Sequence, residues 1–396
     1  MIAELVIFAH VLALNETDIQ MKLIRQNIIN GDCLEEMRKM ESNSISCIVT
    51  DPPYGLGFMG KDWDAGLPHH DIWKEALRIV KPGGHLLAFG GTRTYHRLTC
   101  AIEDSGWEIR DCLMWIYGSG FPKSHNHFGI EGYGTALKPA HEPIILAMKK
   151  CDGTFKANAE KWGQAGINID GCRVGTDEMK VTKSNGAILS ENRAMEAPNT
   201  GRIDCGTKIG RWPANVLFDE EAGKLLDEQS GMSKSKCVAI QRPRGVLQMH
   251  GENSRPCHGK DLVSKIEGVN DSGGASRFFY CAKASSSERN EGCEALQDKI
   301  GGGLCATVSG DSRTGNITIQ KNNHPTVKPL RLMQYLIKLV IPPKDGVLLD
   351  PFCGSGSTIL AAHNIGVKAI GIEKNAEYCE IAQARIRNNL PLLTQS

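Results

Sequence analysis

The chain has 396 residues, 41% of them hydrophobic, with 46 Lys and Arg against 45 Asp and Glu for a net charge of +1. That length and apolar content predict two or more domains with a substantial buried core, and the even charge excludes a globally basic polyanion binder, so any nucleic-acid surface has to be a local patch. The 14 cysteines are scattered without a Cys-x-x-Cys pair, a usage that favours reduced thiols in a cytoplasm over a disulfide framework or a zinc site.

Residues 1–20 read as a soluble extension: Ile2 to Leu14 is apolar but too short to span a bilayer, carries Glu4 and lacks a basic leader. Met21 stands just before the first strand and is a candidate natural start. Asn27 to Asp32 is expected to form a strand ending in a carboxylate, followed by a short helix over Leu34 to Met40. The run Ile45, Cys47, Ile48, Val49 then reads as a buried parallel strand. Trp73, Ala76, Leu77 and Val80 recur at helical spacing up to a stop at Lys81-Pro82-Gly83-Gly84. A strand at His85 to Phe89, a helix start at Thr92 to Arg97, and strands at Trp107 to Tyr117 and Pro143 to Met148 complete an α/β pattern over residues 21–150.

From Cys151 to about Asn323 the periodicity is lost, which predicts an inserted irregular α+β region over residues 151–323, its likeliest strands at Asn215 to Phe218 and Arg277 to Cys281. Ile300 to Asn323 reads as a flexible joint. Regular structure resumes over residues 324–396. An amphipathic helix (Leu330, Met333, Leu336, Ile337, Val340) leads to the strand Val347 to Asp350, a Gly-rich loop, a helix through Ala361 and Ala362, the strand Ala369 to Ile372 ending at Glu373, and a last helix from Ala376 to about Ile386.

Two stretches carry chemistry. The first, Asp51-Pro52-Pro53-Tyr54, delivers a carboxylate from the end of a strand into a turn in which two prolines remove two backbone donors. Such a turn presents oxygen acceptors beside an aromatic ring, which suits gripping an exocyclic amino group while a base stacks on Tyr54. A plain Pro-Pro turn is the alternative. The second, Asp350-Pro351-Phe352-Cys353-Gly354-Ser355-Gly356, follows a strand and opens a helix, with Glu373 ending the next strand: a dinucleotide-type fingerprint in which glycines admit the ligand and the acid takes ribose hydroxyls. The turn that usually comes first in such domains comes last here, so the domain is expected to be circularly permuted, with both loops on neighbouring central strands.

Asp51-Pro52-Pro53-Tyr54, Phe352-x-Gly354-x-Gly356 and His324-Pro325-Thr326-Val327-Lys328-Pro329 resemble the β-class of S-adenosylmethionine-dependent DNA amino-methyltransferases, over residues 27–150 and 324–387. The resemblance implies a Rossmann-like fold with a mostly parallel, permuted sheet, in which 151–323 is the target-recognition region. It implies direct methyl transfer from S-adenosylmethionine to an amino nitrogen of a flipped base in double-stranded DNA. Asp51 and the Pro52 carbonyl would accept the amino hydrogens, and Tyr54 would stack on the base. Glu373 would hold the ribose, Asp32 the adenine amino group of the cofactor, and Thr326 with Lys328 its methionine end. Asp32 could equally be a helix cap, and His141-Glu142-Pro143 either a flank of the base pocket or a strand cap. Asp at the head of the tetrapeptide is the adenine-associated form, whereas Ser or Thr accompanies N4-cytosine enzymes. A homodimer and a cognate restriction endonuclease are compatible with the resemblance.

Lys234, Lys236, Arg242, Arg244, Arg255 and Lys260 stand against Glu252 alone in one stretch, the best candidate for phosphate contact. Lys61 and Trp63, in the Gly55 to His70 loop, could reach phosphate or base. Arg211-Trp212-Pro213 and Arg277 to Tyr280 read as core strands rather than base readers. Pro256-Cys257 superficially supplies the nucleophile of a C5-cytosine enzyme but lies in the irregular insert. The rivals are an N4-cytosine enzyme, an RNA or protein-amide methylase, and a silent DNA-binding relative.

Overall fold

The computed structural model describes residues 28–57, 64, 66–120, 124, 129–184, 202–234, 271–282, 293, 299–300, 319–320, 322 and 327–389. The chain begins with β1 (Ile28–Asn30), α1 (Cys33–Lys39), β2 (Ile45–Thr50), α2 (His70–Ile79), β3 (Val80–Phe89), α3 (Tyr95–Asp104), β4 (Glu108–Ile116), β5 (His141–Met148) and α4 (Phe155–Trp162). It continues with β6 (Val174–Ser184), β7 (Arg202–Arg211), β8 (Val216–Asp219), α5 (Glu220–Ser230) and the short strands β9 (Ser233–Lys234), β10 (Ser272–Gly273), β11 (Tyr280–Ala282), β12 (Lys299–Ile300) and β13 (Ile319–Gln320). It closes with α6 (Leu330–Val340), β14 (Val347–Asp350), α7 (Ser357–Asn364), β15 (Lys368–Glu373) and α8 (Ala376–Asn388).

The central sheet has the order β1-β15-β14-β2-β3-β5-β4-β8-β11. The last two long strands of the chain are thus inserted between the first two, and β14 pairs with β2 in parallel, Leu348 opposite Cys47 and Leu349 opposite Ile48. Every residue of β2 is buried. A strand covered on both faces reads as a continuous apolar run, not an alternation. β5 runs antiparallel to both its neighbours, so the sheet is mostly rather than wholly parallel. One core joins α1, α2 and α3 to the sheet through Met37, Trp73, Ala76, Leu98 and Ile102, whereas α6 packs on α7 and α7 on α8 outside that cluster.

The helix stop anticipated at Lys81 to Gly84 falls inside β3. Ile45 pairs with Val80 but Cys47 pairs with His85, so the intervening residues form a bulge. Gly84 is required there, since a Cβ would come within 2.5 Å of the Ser46 carbonyl.

Contacts divide the chain into one compact unit of residues 1–172, 214–222 and 281–396 and a second of 173–213 and 223–280. Residues 151–172, placed in the insert by composition, stay with the sheet unit. The reason is Asn158, fully buried on α4, whose amide donates to the Pro82 and Gln164 carbonyls and accepts from Asp152 N–H. The strand expected at 215–218 is β8, parallel to β4 in the main sheet. The second unit is built on the antiparallel β6–β7 ribbon. Its Arg211 and Arg277 both bind Asp271 and enclose the Phe278 ring, at 5.1 and 4.2 Å from its centroid. Arg277 also donates to the Gly273 and Gly274 carbonyls, which curls 275–278 into a turn, so β11 starts only at Tyr280. Trp212, expected in a core strand, is 64% exposed and lies against the Arg173 guanidinium. Among the described residues no helix is long and apolar enough to cross a membrane.

Candidate active site

Because β2 and β14 are parallel neighbours, their C-terminal ends deliver Asp51 and Asp350 to the same edge of the sheet, where α/β proteins hold ligands. A cleft of about 750 Å³ lies there, lined by Asp51, Pro53, Lys328, Phe352, Gly354 and Glu373 among others. A smaller recess of about 360 Å³ opens at the other end of the strands, beside Gly346 and Lys368, and has none of these groups.

On the β2 side, Asp51 is half-buried and fully engaged. Its Oδ2 accepts from the Lys328 ammonium at 2.7 Å and its Oδ1 from the Tyr54 hydroxyl at 2.7 Å. The Tyr54 oxygen also lies 3.1 Å from Glu142 Oε2, so one phenolic proton faces two carboxylates. Burial first, then Asp51 and Glu142, push this phenol well above its ordinary range. Lys328 is buried, pairs with Glu142 at 3.1 Å, and rests on the Phe89 ring at 4.8 Å. Burial opposes its charge, yet the two carboxylates outweigh it and hold the ammonium above its usual value. The sheet brings Glu142 here from β5, two strands from β2. Its place in the cluster, rather than at a strand cap, could not be read from the local sequence.

The turn itself is held from outside. Asp64, 2% exposed, accepts from Tyr54 N–H and Gly55 N–H through Oδ1 at 2.7 and 2.9 Å and from Leu56 N–H through Oδ2 at 3.1 Å. Gly55 takes φ +66°, which lets these N–H groups converge.

On the β14 side, Asp350 is buried, accepts from Thr50 Oγ1 at 2.6 Å and Phe352 N–H at 3.1 Å, and is raised to about 6, chiefly by burial. Glu373 spans two turns, accepting from Gly354 N–H at 2.9 Å and Asn375 N–H at 2.8 Å. Burial raises its pKa against those bonds. Gly354 and Gly356 have φ of +52° and +79°, and a Cβ at Gly356 would press on Ala382 at 2.8 Å. Arg385 of α8, fully buried, donates to the Ser355 carbonyl and to the Ser355 and Ser357 hydroxyls. An arginine on the apolar stripe of Tyr378, Ile381, Ala382 and Ile386 is a signal the sequence did carry. Asp32 caps α1, its Oδ1 accepting from Leu34 N–H and Glu35 N–H, and also lines the cleft.

Thus Asp51, Pro53, Lys328, Asp350, Phe352, Gly354, Ser355 and Glu373 line the cleft, Tyr54 joins them through Asp51, and Gly356 and the buried Pro52 are not among the lining residues. Thr326 and Lys61, with Trp63 beside it, lie outside the described residues, as do Lys236, Arg242, Arg244, Cys257, Arg255 and Lys260; Lys234 is described and exposed at the end of β9.

A permuted, mostly parallel α/β sheet with two such turns at one edge defines a ligand-binding domain of the doubly wound class. The chain belongs to the N6/N4 DNA methylase family, whose model matches residues 45–384. It is 27% identical over 405 residues to the type II methyltransferase M.HindIII of Haemophilus influenzae, covering 91% of this chain and 94% of that protein. Over 148 residues it is 26% identical to the DNA adenine methyltransferase YhdJ of Escherichia coli, covering 34% of this chain and 45% of that one. The solved structure of the cytosine-N4-specific PvuII DNA methyltransferase matches with a TM-score of 0.46 at 15% identity, covering 93% of this chain and 87% of that one.

Proposed function

We propose that this protein transfers the methyl group of S-adenosylmethionine to the exocyclic N6 of an adenine flipped out of double-stranded DNA. The observation that carries the reading is the acceptor cluster of Asp51, Tyr54 and Glu142 set beside a cleft floored by the Gly354–Gly356 turn. The cleft fits the cofactor in size and donor set: about 750 Å³, bare backbone at Gly354, and carboxylates at Asp32 and Glu373. When bound, S-adenosylmethionine supplies an electrophilic methyl group on a sulfonium. Glu373 would take the ribose hydroxyls, Asp32 the adenine amino group, and Asp350, Phe352 and Ser355 would shape the pocket, with Thr326 and Lys328 toward the methionine end.

Asp51 accepts the hydrogens of the target amine, which localises the nitrogen lone pair and aims it at the cleft. Asp51 Oδ2 also accepts from the Lys328 ammonium at 2.7 Å, and Lys328 lies 3.1 Å from Glu142 Oε2, so the buried ammonium balances the charge of the acids that face the amine. Asp at the head of the tetrapeptide and the likeness to YhdJ, a DNA adenine methyltransferase, support adenine. The basic stretch from Lys234 to Lys260 would contact phosphate, and double-stranded DNA is the partner this reading requires.

The test is to treat DNA with the protein and methyl-labelled cofactor, digest it and separate the nucleosides. Label is expected in N6-methyldeoxyadenosine. Label in N4-methylcytosine would overturn the base assignment, and no label in DNA would overturn DNA as the substrate.

A further inference from the structure

We infer that Asp64 is a positioning residue for the methyl-transfer step: it holds the Pro52–Gly57 turn so that the turn's free backbone groups are carbonyl oxygens and Asp51 stays aimed at the target amine. The inference rests on the reading given above.

Every backbone donor of the turn is accounted for. Pro52 and Pro53 have none. Tyr54, Gly55 and Leu56 spend theirs on the two carboxylate oxygens of Asp64, and Gly57 N–H donates to the Asp64 carbonyl at 3.0 Å. With Asp64 2% exposed, water does not compete for these bonds, and bonds to a buried carboxylate are of the strong, charge-assisted kind. The proline pair alone leaves the three following N–H groups free to turn toward an incoming base or to swing the Asp51 side chain away. Asp64 removes that freedom without forming part of the cleft's lining.

A positioning role of this kind shows in the rate constant of the bound complex rather than in binding. Asp64→Asn keeps an amide oxygen for Tyr54 and Gly55 N–H but sets an NH₂ against Leu56 N–H; Asp64→Ala strands all three. In single-turnover reactions with saturating labelled S-adenosylmethionine and duplex DNA, Asp64→Asn is expected to lower the rate constant about tenfold and Asp64→Ala about a hundredfold. The labelled amplitude should stay unchanged for Asp64→Asn, and the dissociation constants for cofactor and DNA within about threefold. A purely structural role would lower the amplitude and leave the rate constant intact, and that result overturns the inference, as does a wild-type rate constant in folded Asp64→Asn. Should the wild-type protein itself label no DNA, the underlying reading falls instead, which separates the two failures.

Discussion

Two turns stand side by side at the ends of β2 and β14, and opposite means stiffen them. The Asp51 turn uses prolines, which delete donors, and a carboxylate ten residues from Tyr54 that absorbs the donors left over. The Gly354 turn uses glycines, which delete side chains, and the carboxylate of Glu373 from the next strand. In the proposed reading the first leaves oxygens and a fixed acid for an amine. In the same reading the second leaves bare backbone and a half-buried acid for a nucleoside. Both are braced by an acid, so the contrast in ligand chemistry comes from what the turn residues lack.

The contrast breaks most sharply at Asp51. Asp51→Ala should lower the methyl-transfer rate on the order of 10³-fold, the scale of losing a preorganised group aimed at the reacting atom. Glu142 remains 3.1 Å from Lys328, so the ammonium keeps a buried partner. Equilibrium binding of S-adenosylmethionine should change by less than about threefold. A collapse of cofactor affinity instead would mean that the two turns do not divide the work.

The β14 side was the more legible of the two. The spacing from Gly354 to Glu373 is set by one helix and one strand, so periodicity alone puts the acid at the end of the strand after the turn, where it accepts from Gly354 N–H. The neighbouring placement of β2 and β14 followed from the same fingerprint arriving late in the chain. Asp64 and Glu142 were not legible in this sense. Asp64 sits in a loop without periodicity, and its partners are backbone groups that any sequence has. Glu142 reaches Tyr54 only because an antiparallel strand, β5, runs beside β3, and the local sequence gives no hint of strand direction. The exposed Trp212 was misread for a related reason: an aromatic beside a strand end looks apolar in sequence, whereas its cover here is a single guanidinium.

A second effect, on stability, isolates the β14 side. Burial raises Asp350 from 3.8 to about 6. Between those values the folded chain keeps a proton that the unfolded chain has lost, so the contribution is full below pH 4 and is lost as pH rises through 6. His85, in the buried core of β3, behaves in reverse: burial, then Arg110, lowers it from 6.5 to about 4. Its contribution is present above 6.5 and lost as pH falls toward 4. Each shift corresponds to about 3 kcal/mol, and the two slopes oppose each other across the same window. Urea unfolding between pH 4 and 6.5 should therefore show stability rising with pH in Asp350→Asn and falling with pH in His85→Gln. Parallel curves for both variants and the parent would show that neither burial shifts its group.

The smallest effect separates the two uses of Asp32. Oδ1 takes both cap bonds, at 3.0 Å from Leu34 N–H and 3.5 Å from Glu35 N–H, while Oδ2 meets the exposed Lys374 ammonium at 3.4 Å. Asn is as good a cap as Asp, so Asp32→Asn should leave the unfolding free energy within a few tenths of a kcal/mol, whereas Asp32→Ala should lower it by about 1 kcal/mol. Cofactor binding tests the other oxygen. If this oxygen takes the adenine amino group as proposed, replacing it by NH₂ turns an acceptor into a donor, and the dissociation constant should rise about tenfold, one charge-assisted bond's worth. If Asp32→Asn binds S-adenosylmethionine as the parent does, the carboxylate serves the helix alone, and the acids that engage the cofactor reduce to Glu373.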